Sequence, residues 1–105
     1  MASVLVANVR TGGRIVLRTS NSTYEFWLEF PDESIGVIRG GSLEAPTRVR
    51  LGAENASSQD TPSQPLRVGE RARVVLLGPQ GAPVRGFVTS TIAAIVVDRS
   101  DRVAA

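Results

Sequence analysis

Trp27 stands between Glu25 and Glu29 in the segment Thr23–Phe30, and two alternating arginine pairs, Arg48 with Arg50 and Arg71 with Arg73, lie further along the chain. The types and spacing of these side chains suit recognition rather than bond-making. An outward tryptophan is favoured at protein interfaces and as a stacking platform for bases. Arginines two apart on a strand point to one side of it. If their two strands were neighbours, the four guanidinium groups would form one patch able to hold phosphate or an acidic partner. A plainer reading stands beside each. Trp27 is covered by a loop or by closure of the sheet, and the arginines form a solvated face, paired with glutamate, that discourages edge pairing. Glu25 and Glu29 argue against nucleic acid at Trp27 itself, because they would repel phosphates. The candidate binding residues are therefore Trp27, Arg48, Arg50, Arg71 and Arg73.

The residues that are missing narrow the chemistry. The 105-residue chain has no Cys, His or Lys, so all 12 of its basic residues are Arg. That removes disulfides, thiol nucleophiles, a Ser–His–Asp triad, a Schiff-base lysine and a phosphate-loop lysine. A zinc site would need carboxylates alone, and Asp98-Arg99-Ser100-Asp101 lacks the glycine and acidic spacing of a calcium loop. No catalytic residue, metal site or cofactor is expected. The formal charge is only +2. Each half of the chain, divided after Gly52, carries six Arg and five acids, so no basic tail emerges. No stretch approaches the roughly 20 apolar residues of a membrane span, and Met1–Asn8 lacks the positive start of a secretory leader. The expectation is a cytoplasmic protein without a membrane partner.

The elements that must position these residues read as strands. Ser3–Val9 is a β-branched run. Gly12-Gly13 suits a hairpin turn and leads into Arg14–Arg18. Thr23–Phe30 alternates most clearly, with Tyr24, Phe26, Leu28 and Phe30 on one face and Glu25, Trp27 and Glu29 on the other. Pro31–Ser34 is a turn. Ile35–Arg39, Thr47–Leu51 and Arg71–Leu77 follow as strands. Ala53–Pro65 holds no large apolar residue, which predicts a mobile loop over 53–65. Gly78–Pro83 is a strong turn signal. Val84–Asp98 reads as one long strand bent near Gly86, with a helix over Ser90–Val97 as the competing assignment. About six or seven short strands predict a single all-β domain over 1–105, a small antiparallel β-barrel or sandwich.

Thr19–Glu25 is dense in hydroxyls and amide. It suits either a polar ligand rim or a turn that satisfies its own backbone. Within it, Thr19-x-Asn21-Ser22-x-Tyr24, followed by Val37-x-Arg39-Gly40-Gly41, resembles short uncharacterised bacterial all-β proteins with a Thr-x-Asn-Ser-x-Tyr signature. The resemblance implies a bacterial, all-β chain and no particular activity. Arg39-Gly40-Gly41 taken alone reads as a turn closing a strand. The functional expectation is a non-catalytic binding or assembly module, associating with itself as a homo-oligomer or with a protein partner. The alternative is single-stranded RNA or DNA binding through the Arg pairs, with Phe87 or Trp27 for stacking. A carboxylate-dependent enzyme is the third reading.

Overall fold

A computed structural model describes residues 3–41, 43–54 and 65–98. Among them the chain forms β1 (Ser3–Val4), β2 (Arg14–Thr19), β3 (Thr23–Phe30), β4 (Ile35–Gly40), β5 (Leu43–Ala53), β6 (Leu66–Arg67), β7 (Ala72–Leu77), β8 (Pro83–Val88) and β9 (Ile92–Asp98). Seven strands make one antiparallel sheet in the order β8-β7-β5-β4-β3-β2-β9, and β1 pairs with β6 in a second, two-stranded sheet. The all-β expectation holds. Ile92–Asp98 is a strand rather than a helix.

β8 and β9 lie at opposite edges of the large sheet, yet only Thr89-Ser90-Thr91 separates them in the chain. That link spans at most about 14 Å, whereas a flat seven-stranded sheet would hold its outer strands about 29 Å apart. The sheet must therefore coil until its edges meet at this corner. No ladder joins β8 to β9 among the described residues. The corner is fastened to the start of β7. Thr89 N donates to Ala72 O (2.8 Å), and Ala72 N donates to Thr89 Oγ1 (3.1 Å). Thr89 is a buried polar residue with its needs met.

The core fills the inside of the coil. Alternation puts Ile15 and Leu17 of β2, Tyr24, Phe26 and Leu28 of β3, and Ile38 of β4 on the inner face, joined there by Val49, Leu51 and Val74. Phe26 is fully buried, and its truncation to Ala would cost about 3–5 kcal/mol. Val6, Val9 and Leu66 complete the cluster.

Several expectations need correction. Ser3–Val9 is not one strand: after β1, a 3-10 turn spans Val6–Asn8, closed by Val9 N donating to Val6 O at 3.0 Å. The turn places both Val6 and Val9 in the core, which a flat strand exposing alternate residues would not do. Gly12 does take a positive φ of 87°, but its turn docks on β3, where Gly12 N donates to Leu28 O and Leu28 N to Gly13 O. Phe30 leaves the core, 53% exposed, because the pairing with β4 shifts between Leu28 and Phe30. Val84–Asp98 is two strands, broken at Thr89 rather than bent at Gly86. β5 runs well past Thr47–Leu51 at both ends, so Ala53 belongs to a strand, and residues 55–64 of the expected loop lie outside the described residues.

Two glycines are required by close approach. A Cβ at Gly36 would sit 2.1 Å from the Trp27 carbonyl oxygen, and one at Gly40, whose φ is 118°, would sit 2.1 Å from that of Thr23. Ser34 is different: it adopts a left-handed φ of 60° while fully buried. Its hydroxyl donates to Leu51 O, and its carbonyl accepts Leu51 N at 3.0 Å, extending the β4–β5 ladder past its end. Ser34→Ala leaves the Leu51 carbonyl without that donor and should lower the unfolding free energy by about 1–3 kcal/mol. Urea titration checks this, and an unchanged midpoint would show that the hydroxyl contributes nothing.

Candidate functional site

The outer face of the coiled sheet carries the residues singled out above. β3 points Glu25, Trp27 and Glu29 outward, and its register with β2 and β4 sets their neighbours. Trp27 lies opposite Arg14 on one side and Val37 on the other, and Glu25 lies opposite Val16 and Arg39. Glu25 bridges three strands, with Oε2 accepting Arg14 Nη1 at 2.7 Å and Oε1 accepting Arg39 Nε at 2.8 Å. The Arg39 guanidinium also lies over the Trp27 ring, 5.2 Å from its centroid, within cation–π range. Arg48 reaches from β5 across β4 to Glu29, donating from Nε at 2.9 Å and Nη2 at 3.2 Å.

Charge complementarity shows in the titration of these groups. The hydrogen bond from Arg39 holds the Glu25 carboxyl below its usual range. Partial burial opposes this, and the charges of Arg39 and Arg14 reinforce it. The hydrogen bond and charge of Glu29 push Arg48 further up. Trp27 is therefore on the outer face, but half-buried and overlaid by Arg39. Arg39 and Arg14 are the site residues that sequence reasoning missed. The signal available for Arg39 was the Pro31–Ser34 turn, which pairs β3 with β4 and sets Arg39 opposite Glu25.

β5 and β7 are neighbours, but their register brings together only one arginine of each pair, Arg50 and Arg73, and leaves Arg48 and Arg71 towards opposite ends of the ladder. Arg50 lies opposite Val75 and Arg73 opposite Gly52, which makes Arg50 and Arg73 diagonal neighbours on the outer face. Arg71 immediately precedes β7. Arg73 donates from Nε and Nη2 to the carbonyl of Glu54 at 3.3 and 3.2 Å. Trp27, Arg48, Arg50 and Arg73 thus share one face through the Trp27–Val37–Arg48 row, and that face is the convex outside of the coil. Arg48 is already ion-paired, whereas Arg50, Arg71 and Arg73 have no carboxylate partner among the described residues.

The polar stretch at Thr19 satisfies its own turn. Thr19 Oγ1 donates to Ser22 O and accepts Ser22 N, both at 3.1 Å. It also accepts the Ser90 hydroxyl at 2.9 Å, tying the β2–β3 hairpin to the β8–β9 corner. A cleft of about 210 Å³, lined by Ser3, Val4, Leu5, Asn8, Val9 and Val97, presents no ionisable side chain. Among the described residues no group of three carboxylates is placed to hold a metal, and no helix is long and apolar enough to cross a membrane. The chain matches no family model, no curated protein and no solved structure.

Because the Glu25 carboxyl is held low in the folded protein, its ion pairs stabilise fully above the ordinary glutamate range and are lost as pH falls through the depressed value. Wild type should therefore lose more stability than Glu25→Gln when urea midpoints are followed from neutral pH into acid. The emission of Trp27, the only tryptophan, should shift over the same pH window. Parallel stability curves for the two proteins would contradict this role.

Proposed function

We infer that this protein is a non-catalytic assembly module, an open β-barrel that associates with a second copy of itself through the free edge of β9. The observation that carries the reading is the contrast between the two free edges of the sheet. β8 contains Pro83, Arg85 and Gly86, features with which natural edge strands discourage pairing. Ile92–Val97 contains no charge, proline or glycine and is rich in β-branched residues. Ile92 itself is engaged, with its amide on Glu70 O at 2.8 Å and its carbonyl on Gly69 N at 2.9 Å. Beyond it, β9 has no ladder on its outer side among the described residues, and Val96 is 52% exposed. An edge strand can pair antiparallel with its own copy about a two-fold axis, the commonest symmetry of homo-oligomers. The resemblance of Thr19–Tyr24 and Val37–Gly41 to short bacterial all-β proteins fits a bacterial module of this kind.

Sedimentation over a concentration series tests the reading. The wild-type chain should pass from monomer to dimer as concentration rises. Val96→Lys, at an exposed position on β9, should remain folded and monomeric, while Val84→Lys on β8 should still dimerise. A wild-type chain that stays monomeric throughout would overturn the proposal.

A further inference from the structure

The glutamates of β3 engage three of the outer-face arginines. Glu25 holds Arg14 and Arg39, and Glu29 holds Arg48, so each of these three arginines has a carboxylate partner within the protein. Arg50 on β5, with Arg73 on β7 and Arg71 just ahead of it, lies beyond their reach. The guanidinium groups of Arg50 and Arg71 have no protein partner among the described residues. Arg73 is steadied on the Glu54 carbonyl by two of its donors, and the Glu54 carboxylate makes no ion pair with it. Gly52, opposite Arg73, brings no side chain between Arg73 and its diagonal neighbour Arg50.

We propose that Arg50, Arg71 and Arg73 bind the phosphate backbone of single-stranded nucleic acid. Arginine forks pair bidentately with phosphate oxygens, and a nucleic acid offers such a group at every residue whatever its sequence. An acidic peptide fits less well. β5 and β7 are each hydrogen-bonded to neighbours on both sides, so no strand can be added there and a peptide would have to hold its acids in register unaided. Arg39 lies over Trp27, and Phe87 packs against Tyr24 with ring centroids 6.2 Å apart, which leaves the exposed Phe30, in the cross-strand row Phe30–Ile35–Arg50, as the ring a base could meet. Contact at the three arginines is through charge, tolerant of sequence and steeply dependent on salt. The site does not involve β9 and stands apart from the assembly reading.

Fluorescence anisotropy with a labelled oligothymidylate tests this on the full chain. For single strands the logarithm of the binding constant falls with that of salt by about 0.7 per neutralised phosphate, so three contacts predict a slope of about −2. Arg50→Gln with Arg73→Gln should flatten that slope by about 1.4. Arg50→Lys should keep most of it, and Arg10→Gln with Arg18→Gln, equal in charge but outside the patch, should leave it intact. Circular dichroism confirms that each variant is folded. The proposal is overturned by no binding at low salt, by an equal loss in the Arg10 and Arg18 control, or by preferential binding of polyglutamate, which would make the partner an acidic protein.

Discussion

The three-residue link Thr89-Ser90-Thr91 constrains the whole molecule, because it ties together strands at opposite edges of a seven-stranded sheet. The chain is too short there to cross a flat sheet, so the sheet curls, gains an inside, and fills it with the apolar side chains that alternation supplies. The hydroxyls of the link fasten the curl. Thr89 is bonded to Ala72 at the head of β7, and Ser90 to Thr19 at the β2–β3 turn. The same curl gives the molecule a convex outer face and leaves two strand edges that no ladder joins among the described residues.

What the outer face displays follows from strand register. Glu25 meets Arg14 and Arg39 because β2 and β4 flank β3, and Arg48 finds Glu29 across β4. Individual exposed ion pairs add little to stability. Their consequence is distributional: they give Arg14, Arg39 and Arg48 carboxylate partners and leave Arg50, Arg71 and Arg73 without one among the described residues. A tryptophan overlaid by arginine is also a poor platform for a base, which moves the expected recognition from Trp27 towards Arg50 and Arg73.

Much of this was legible in the sequence where structure is local. The two-residue beat of Thr23–Leu28 sorts β3 into an inner and an outer face, and the turns at Pro31–Ser34 and Gly78–Pro83 stand where their residue types place them. The misreadings have local causes too. Val6 and Val9 are three apart, the repeat of a 3-10 turn, and were hidden in a β-branched run. One residue of register shift was enough to turn Phe30 outward. Strand order is another matter. That β5 lies beside β7, setting Arg50 diagonally beside Arg73, or that Thr19 meets Ser90, depends on pairing between distant segments, which alternation does not encode. Arg39 looked like part of a glycine turn because its partner Glu25 lies on another strand.

A coiled sheet with one guarded and one unguarded edge is the basis of the assembly account. Hydrogen exchange resolved to single amides of β9, in dilute and in concentrated protein, tests it most directly. The account predicts that alternate amides between Ala93 and Val97 become slow to exchange only at high concentration, while those of β8 exchange alike in both samples. Protection across Ala93–Val97 that does not change with concentration would contradict it.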